Sequence, residues 1–496
     1  MGETWSKFLS DYCDTGTRAV GRSVRALVGR KRKRDEDYDE SAELDVLQNT
    51  LNTPKRKKLI STAQYIYQAL FKEGKNSDVT VYALGKAWRL HKVYLCQSPY
   101  FSSMFSGSWK ETTAECVHIK IVDPKITLES LSTVLGSLYQ DEIVLEPREV
   151  VSTLAAATLF QLEGIIEKCA ELMIETLNTE TAVLYYEAAC EYGLKNVKEA
   201  SFRWLLVNLL CHVQLHPSKL RLISVELMTK LVSDPDLFVM QTEFSLYVFL
   251  RYWVYLQIKS ECDYGPKEGI NKAQVFFQER EGDKPFLLTK EGSVYSITFR
   301  ALRLRHMINH HLDVEMLKLD RIIPEDWLGP VLDKNWLHVL QIDQGFDRGP
   351  EIMELDDFKA ECLRCGRVLA NDGQHIWRWT GYCFGIDLVW SYDSGTLKVK
   401  RSHRTEQEMM LSMQQRRHFL MRITLASLNE QRQVRHTQTS GLRSISMFRN
   451  EEVTLLALDR ELKFPLLLSV NLVTATPIKS PPKTGGASHA QFLSED

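Results

Sequence analysis

The alternation of apolar and polar positions predicts several kinds of secondary structure along the chain. Apolar residues recur at helical spacing after Ser61, which predicts a helix there. Residues 78–83 and 86–91 then alternate apolar and polar side chains on either side of Leu84 and Gly85. Two alternating runs joined by so short a connection predict a β-hairpin.

A pair of short helices and a third strand are predicted to follow the hairpin. Residues 92–97 form the first helix, while Ser98 supplies the N-cap and Pro99 the first residue of the second. Phe101 and Phe105 then lie four residues apart on one face of that helix. The apolar positions of the third strand are Val117, Ile119 and Ile121.

Helical hairpins are predicted in the next part of the chain. Capping residues at 178–181 precede an apolar face, and helical patterns continue through residue 258. The glycines and prolines of residues 259–285 predict a linker or long loop. The apolar face of the first of these helices comprises Ala182, Tyr185, Tyr186 and Ala189.

The last part of the chain changes from helical to strand patterns. Residues 296–316 are predicted to be helical, and another helix begins near Ile323. Strand patterns dominate after residue 374 and predict a β-sandwich-like module. No repeat with the period and paired glycines of kelch blades recurs. The clearest strand patterns occupy residues 397–400, 419–426, 453–458 and 466–470.

Taken together, these patterns predict an α+β chain built from several domains. The length of 496 residues also requires more than one core. We expect an α/β domain, an all-α domain, a helical segment and a β-rich, sandwich-like C-terminal domain. The predicted segments are a disordered basic arm at 1–59, the α/β domain at 60–178, the all-α domain at 179–258, the linker at 259–285, the C-terminal domain at 286–475 and a disordered tail at 476–496.

The composition is that of a globular protein, but it does not indicate a particular catalytic or binding activity. Hydrophobic residues make up 44% of the chain and charged residues 25%, values close to the globular average. The ten cysteines are scattered without a secretory signal ahead of them, so we expect reduced thiols in the cytosol or nucleus. No run of about eighteen apolar residues occurs. We therefore expect any membrane attachment to come from a lipid or a partner.

The net charge of −2 hides an asymmetry, because basic residues are concentrated in the arm. Two compact basic clusters there are typical of nuclear localisation signals, which bind an import receptor. The arm lacks a folded scaffold to present these charges, so we expect no nucleic-acid partner. A solvated, solubilising tail is the alternative interpretation. The clusters comprise Arg30, Lys31, Arg32, Lys33 and Arg34, and Lys55, Arg56, Lys57 and Lys58.

The first residues also fit the pattern for N-myristoylation. Gly2 would be acylated after removal of Met1, with Ser6 completing the pattern. A single acyl chain anchors a protein only weakly, and polybasic residues nearby supply the second signal that stable anchoring requires. We therefore expect membrane anchoring through Gly2. The alternative is an arm that begins with Met-Gly by chance.

Residues 60–178 resemble the BTB fold. The resemblance depends on the order of predicted elements and on motifs within them. It implies a homodimer in which a helix and a strand exchange between subunits, with Asp78 and Lys92 in a polar floor of the dimer interface. The motifs are Asp78-Val79, His91-Lys92 followed by Leu95, Ser98-Pro99-Tyr100-Phe101 and Met104-Phe105.

The same resemblance implies a cullin-3 site. BTB proteins that bind this cullin carry an apolar-x-Glu motif, and Trp109, Lys110 and Glu111 stand in its place. Tyr139 matches a further aromatic contact to the cullin. An aromatic side chain beside a charge has the composition of an interface anchor. The alternative is that Trp109 and Tyr139 pack within the domain, because many BTB domains bind no cullin.

The remaining segments resemble the germ cell-less family, so the resemblance covers nearly the whole chain. Residues 179–258 resemble a BACK domain, which spaces a substrate module away from the cullin. The C-terminal signature runs from Arg364 through Trp377 to Leu388, with Tyr382 in a position where Phe is expected. The resemblance implies nuclear-envelope association and a role in germ-cell formation.

The family resemblance implies an adaptor that holds an unidentified protein substrate in its C-terminal domain and cullin-3 on its BTB domain. Trp377, Arg378 and Trp379 are candidate substrate contacts, because an arginine between two tryptophans offers cation–π and hydrogen-bonding capacity. Structural packing is the alternative for these three residues. A second hypothesis is a scaffold at the nuclear envelope that binds lamina or transcription-factor complexes without degradation.

No residue pattern for catalysis or for a cofactor is visible in the sequence. Cys362 and Cys365 are half of a zinc site, which His375 and Cys383 would complete. Two cysteines on a turn are more often plain thiols, so we expect no metal. The chain also lacks the motifs of phosphate loops, zinc proteases and serine hydrolases. We therefore expect a non-catalytic subunit that needs no cofactor.

Overall fold

The computed structural model describes residues 62–107, 112–140, 142–259, 264–379, 386–402 and 414–477. Their contacts form two compact units that divide between Phe202 and Arg203. We call residues 62–202 the N-terminal unit and residues 203–477 the C-terminal unit. The division coincides with none of the predicted domain boundaries, which stay predictions. The mixed α+β class predicted from the sequence is confirmed.

The N-terminal unit combines a small sheet with a series of helices. Strands β1 (Val79–Ala83), β2 (Lys86–Leu90) and β3 (Cys116–His118) lie in the order β2-β1-β3, with β1 antiparallel to β2 and parallel to β3. The helices are α1 (Thr62–Tyr65), which continues as a π-helix over Ile66–Lys72, α2 (Lys92–Leu95), α3 (Pro99–Phe105), α4 (Leu128–Ser137), α5 (Val150–Leu159), α6 (Glu163–Glu175), α7 (Ala182–Tyr192) and α8 (Lys195–Asn208), within which the division falls.

The predicted hairpin is confirmed, and its turn explains why it forms there. Val79 pairs with Leu90 and Ala83 with Lys86, so only two residues connect the strands. Leu84 and Gly85 both have positive φ, at 47° and 76°. Two central residues of positive φ match the right-handed twist of the flanking strands.

The predicted start of α3 is confirmed as well. The Ser98 side chain accepts a hydrogen bond from the Phe101 N–H at 3.4 Å, and Pro99 occupies the first turn. The rings of Phe101 and Phe105 stack at 6.0 Å between centroids. Strand β3 is shorter than predicted. Ile119 still donates its N–H to the Tyr82 carbonyl at 2.9 Å, but Ile121 lies beyond the strand.

The C-terminal unit begins with helices and ends with two sheets. The predicted helix near Ile323 is confirmed, because α15 follows that residue and Pro324 immediately precedes it. The helices are α9 (Pro217–Arg221), α10 (Val225–Ser233), α11 (Glu243–Ile258), α12 (Pro266–Gln278), α13 (Ser296–Arg300), α14 (His311–Asp320), α15 (Glu325–Asp343) and α16 (Leu355–Glu361).

The expected linker at 259–285 is wrong for about half of its length, because α12 occupies Pro266–Gln278. Pro266 stands in the first turn, where its missing N–H carries no cost. Ile270, Ala273 and Phe277 lie on the buried face of this helix. The Gly-Pro pair therefore starts a helix here instead of marking a loop.

The helix expected at 296–316 is broken into shorter pieces. Helix α13 ends at Arg300, a 3₁₀ turn covers Leu304–His306, and α14 begins at His311. The His310 ring nitrogen accepts a hydrogen bond from the Leu312 N–H at 3.2 Å, while the Asp313 carboxylate accepts one from the His310 N–H at 2.9 Å. These reciprocal caps start a new helix at this point.

Two four-stranded sheets form the expected β-sandwich. They share one apolar core, to which both sheets contribute buried side chains. One sheet has the order β10-β7-β6-β5 and the other β4-β11-β8-β9. The strands are β4 (Leu363–Leu369), β5 (His375–Trp377), β6 (Asp387–Asp393), β7 (Thr396–Ser402), β8 (Arg416–Leu428), β9 (Val434–Phe448), β10 (Glu452–Ala457) and β11 (Leu466–Val473).

Two buried ion pairs hold α11 within the C-terminal unit. Arg364 of β4 donates from Nε and Nη2 to the Glu243 carboxylate at 2.7 and 3.0 Å. Arg251 donates to Asp320 of α14 at 2.6 Å, and the Tyr247 hydroxyl donates to the same carboxylate. All four charged side chains are at most 2% exposed. Within the described ranges, no helix is long and apolar enough to cross a lipid bilayer.

Candidate functional site

Tyr139, one of the predicted cullin contacts, lies inside the N-terminal unit. Its side chain is 2% exposed, and its hydroxyl accepts a hydrogen bond from the His91 N–H at 2.9 Å. Its ring stacks on that of Tyr94 at 4.5 Å between centroids. Burial raises the pKa of the Tyr139 phenol, so the hydroxyl stays protonated.

This placement bears on the role predicted for Tyr139. The side chain packs within its own domain, where so deeply buried a ring offers a partner almost no surface, and its contact with the cullin stays a prediction. Phe71 lies 5.4 Å from it between ring centroids on a neighbouring helix. A partner at this face would contact the backbone and side chains around Tyr139 instead of its ring.

An open groove of about 840 Å³ lies beside this buried cluster. Ser137, Leu138 and Gln140, the residues that flank Tyr139, form part of its wall. Further apolar side chains line it, and charged side chains of α6 border it. Such a combination of apolar lining and charged border is typical of peptide-binding sites. The apolar residues are Leu138, Ile143, Leu145, Leu162, Ile165 and Leu172, and the charged ones are Glu163, Lys168, Glu171 and Glu175.

Several predicted functional residues fall outside the described ranges. Trp109, Lys110 and Glu111, the apolar-x-Glu motif, lie in the gap between residues 107 and 112. Gly2 and both basic clusters, at 30–34 and 55–58, precede the first described residue. The roles predicted for these residues stay predictions.

Asp78 and Lys92, the predicted dimer-interface residues, lie together at the start of α2. The Asp78 carboxylate accepts a hydrogen bond from the Lys92 N–H at 2.8 Å and so caps the first turn. The Lys92 ammonium donates to the Thr112 carbonyl at 2.9 Å and lies 5.3 Å from the centroid of the Phe105 ring. The dimer contact itself stays a prediction, but the two residues form one polar cluster, as the resemblance implies.

Trp377 and Trp379, two of the candidate substrate contacts, belong to the core of the sandwich. Trp377 is 6% exposed and stacks on Trp390 at 6.5 Å between centroids. The Trp379 indole donates to the Gly366 carbonyl at 3.2 Å and packs partly buried against the same core. Both tryptophans therefore contribute to the packing of the sandwich, and their role as substrate contacts stays a prediction.

Arg378 points differently from its two neighbours. Its side chain is 37% exposed and lies 3.5 Å from the Asp387 carboxylate, which is 4% exposed. Burial raises the pKa of Asp387, and the Arg378 charge acts in the opposite direction. Of the three predicted substrate contacts, Arg378 is the most exposed, although part of its charge compensates Asp387.

The cysteines proposed for half of a zinc site do not converge on one point. Cys365 faces the core between the sheets, whereas Cys362 packs on the other side with Phe358 and Leu420. The Cys362 sulfur accepts hydrogen bonds from Arg303 at 2.8 Å and from Asn471 at 3.4 Å. Across the described ranges, no three His, Cys, Asp or Glu side chains group in a way that could hold a metal ion. Cys383 lies outside those ranges.

An exposed apolar face on α15 is a feature that our sequence interpretation missed. Trp336 is 64% exposed, and Leu332 and Leu337 are 36% and 43% exposed on the same helix. Helical periodicity predicts the helix, but it does not show which of its apolar side chains face the core, because leucines and other apolar residues occur on more than one side of it. Only the packing of Leu328 and Ile342 identifies the buried face.

Comparison with known proteins identifies the family to which this chain is similar. A model of the BTB/POZ domain matches residues 67–177. The chain is 45% identical to Protein germ cell-less of Drosophila melanogaster over 90% of its own length and 83% of that protein. It is 38% identical to human Germ cell-less protein-like 1 over 88% of its length and 85% of that protein. A shorter stretch, 39% of the chain, is 29% identical to human Kelch repeat and BTB domain-containing protein 8, of which it covers 32%.

Proposed function

Because the chain belongs to the germ cell-less family of BTB proteins, we propose that it is the substrate adaptor of a cullin-3 ubiquitin ligase. A BTB domain in this family points to a non-enzymatic adaptor and implies dimerisation. The adaptor would hold cullin-3 on its N-terminal unit and a protein substrate on its C-terminal unit. Two copies in one dimer would raise the local concentration of both partners.

The groove beside Tyr139 is the observation that carries this proposal. It offers an apolar lining of six side chains with a charged border, within the residues that match the BTB/POZ domain. Its volume of about 840 Å³ falls in the range of sites that accept a ligand or peptide segment. Tyr139 acts here as a positioning residue, since its ring supports residues 137–140 from behind.

The predicted motif at Trp109 and Glu111 supplies the second part of the proposed cullin site. An indole anchor with an adjacent carboxylate would concentrate binding energy in few residues. Co-purification of cullin-3 with the full-length double variant Trp109→Ala, Glu111→Ala tests this. We expect loss of the cullin and retention of the dimer. Val122→Ala is a suitable control, because that side chain is 81% exposed and does not line the groove. Undiminished cullin recovery with the double variant would contradict the proposal.

The C-terminal unit is the proposed binding site of the substrate. It comprises residues 203–477 and exposes side chains that a protein partner could contact. Arg378 is the candidate contact that the burial pattern favours, whereas Trp377 and Trp379 would shape the sandwich beneath it. The proposed role is non-catalytic and needs no cofactor. Ubiquitin transfer would be the task of the other subunits of the ligase.

The proposed location is the nucleus, at the nuclear envelope, with a role in germ-cell formation. The basic clusters at 30–34 and 55–58 would bind an import receptor, and acylated Gly2 would anchor the arm in the membrane. Cell fractionation of a Gly2→Ala variant tests the anchor. If acylated Gly2 holds the protein at the membrane, the variant should move from the membrane fraction to the soluble fraction. An unchanged membrane fraction would mean that another feature, such as a lamina partner, retains the protein. Cullin co-purification separates the ligase adaptor from a scaffold that acts without degradation.

A further inference from the structure

Helix α15 is fixed to the C-terminal unit by one face. Leu328, His338 and Ile342 lie on this face and are at most 8% exposed. The His338 ring lies 2.9 Å from the Thr476 carbonyl, and Ile342 packs against Ala475. These contacts set the rotation of the helix about its axis, so the opposite face must point outward.

The outward face carries apolar side chains along several turns, of which Leu340 is half-buried and the others are exposed. At 100° per residue, Leu332, Trp336, Leu337 and Leu340 fall within one arc of about 140°, opposite His338. Trp336 is 64% exposed, and Leu332 and Leu337 are 36% and 43% exposed. Phe346, 80% exposed, follows just beyond the helix end, where its N–H donates to the Gln341 carbonyl at 2.8 Å. Such a ridge of neighbouring exposed apolar side chains, including an indole, is typical of a binding surface.

Acidic residues accompany this ridge. Four carboxylates stand on α15 against the one lysine, Lys334. Asp333 and Asp343 fall within the same arc as Trp336, whereas Lys334 lies outside it. The four acidic residues of the helix are Glu325, Asp326, Asp333 and Asp343.

The sign of these charges decides between candidate occupants. Anionic membrane surfaces would be repelled by carboxylates beside the apolar ridge. A second copy of the same helix would bring like charges together, and their repulsion disfavours such an interface. A protein segment with apolar anchors flanked by lysine or arginine fits this surface. Its apolar side chains would cover the ridge, and its basic side chains would pair with the carboxylates. Because the ridge is convex and helical, a partner helix can pack along it with its own ridges between those of α15.

We propose that the outward face of α15 is a docking site for a basic amphipathic helix of a partner protein, anchored on Trp336. This inference rests on the proposed adaptor function and deepens it, because it names the chemical class of the substrate segment. Tryptophan is the residue type most often found to carry the binding energy of an interface. The flanking carboxylates would select basic segments and speed their encounter.

The test selects peptides from a phage-displayed library of amphipathic helices, whose flanking positions vary among Lys, Arg, Glu, Asp and Gln. The full-length protein is the target, and a selected peptide is then measured by fluorescence anisotropy. We expect Lys and Arg to dominate the flanking positions. Trp336→Ala should weaken binding at least about thirtyfold, the scale of an interface hot spot.

A second variant tests the charge requirement, and a matched control tests whether binding is specific to α15. Asp333→Lys combined with Asp343→Lys should weaken the same peptide, by a factor that shrinks as salt is added. Ile297→Ala should leave binding unchanged, because Ile297 is similarly exposed at 60% but lies on α13. Cullin co-purification of Trp336→Ala should equal that of the unaltered protein, so failure at α15 is distinguishable from failure of the adaptor function.

Three results would overturn the proposal. Selection of acidic or neutral peptides would contradict the charge argument. Equal affinity of the Trp336→Ala variant and the unaltered protein would place binding elsewhere. A sedimentation experiment in which Trp336→Ala converts a larger assembly to a smaller one would identify a second copy of the chain as the occupant.

Discussion

The two units bury polar side chains in different ways. In the N-terminal unit, the buried cluster around Tyr139 consists of hydroxyl, imidazole and backbone groups joined by hydrogen bonds. In the C-terminal unit, α11 carries two fully charged pairs, Arg364 with Glu243 and Arg251 with Asp320, each at most 2% exposed. Buried ion pairs therefore join α11 to β4 and to α14, whereas hydrogen bonds without an ion pair join Tyr139 to His91 beside the groove.

This difference teaches where each unit is vulnerable. Removing one partner of a buried ion pair leaves an uncompensated charge away from water, whereas removing a hydroxyl from a neutral pair loses about one hydrogen bond. Substitutions of comparable size should therefore damage the C-terminal unit far more than the N-terminal unit.

Glu243→Ala should destabilise the C-terminal unit by about 3–5 kcal/mol, because it leaves Arg364 buried without its carboxylate. Urea denaturation measures the loss. Hydrogen exchange should show it as faster exchange in β4 and α11, with little change in β1 and β2. A loss below about 1 kcal/mol, the scale of a surface pair, would mean that Arg364 gains water or another partner and that the pair is not critical.

His306 should make the stability of the C-terminal unit depend on pH. Burial lowers the pKa of His306 to about 4, with Arg305 acting in the same direction. The unfolded chain, with an ordinary pKa near 6.5, therefore binds the proton first as pH falls. The stabilising contribution of the neutral ring is complete above about pH 6.5 and is lost as the pH falls toward about 4, by up to about 1.4 kcal/mol per pH unit.

His306→Gln should remove this part of the pH dependence. Other titrating groups contribute equally to both proteins, so the difference between their free energies of unfolding at pH 7, 6 and 5 isolates the histidine. The Gln variant should lose less stability than the unaltered protein over that interval. Parallel pH profiles would contradict the account of the buried neutral ring.

Tyr139→Phe should cost the N-terminal unit about 1–3 kcal/mol, because the ring stays but the buried His91 N–H loses its acceptor and the hydroxyl contact with the His91 ring is also lost. Thermal denaturation of the full chain measures this effect. Cullin binding should persist, since the ring does not face the groove directly. Complete loss of cullin-3 at unchanged stability would restore Tyr139 as a direct contact and contradict its positioning role.

Lys398→Ala should have the smallest effect and serves as the control for Glu243→Ala. Lys398 of β7 pairs with Glu452 of the neighbouring strand β10 at 3.6 Å, and both side chains are 40% or more exposed. Water screens such a pair, so the change in the free energy of unfolding should stay below about 1 kcal/mol. A larger loss would show that surface charge pairs matter more in this unit than the contrast assumes.

Local signals made the N-terminal unit predictable. The turn at Leu84 and Gly85 and the cap at Ser98 act between residues close in sequence, and both appear in the structure as predicted. The sandwich depends on distant partners. Strand β4 pairs with β11 about one hundred residues later, and no local pattern encodes that pairing. Strand β9 was missed because its side chains are mostly polar and exposed on both faces.

The sequence indicates which residue types belong to the candidate sites, but it does not indicate which of their side chains are buried. Sequence identifies Tyr139, Trp377 and Trp379 as notable aromatics, yet the same residue type serves a core and an interface. Packing decides between these roles, and it buries Tyr139 and Trp377 while leaving Trp336 exposed. The ion pair of Arg364 with Glu243 joins residues 121 positions apart, so neither residue signals its partner.

In the proposed adaptor, the N-terminal unit binds cullin-3 through the groove beside Tyr139. Calorimetric titration of the purified N-terminal region of cullin-3 into the full-length protein tests it most directly, with two neighbouring variants as the comparison. Leu145 is half-buried in the groove, whereas Val144 is 85% exposed and outside the lining. We predict that the unaltered protein and Val144→Asp bind alike and that Leu145→Asp binds at least about thirtyfold more weakly while remaining folded. Absence of binding by the unaltered protein, or equal affinity of the two variants, would contradict the account.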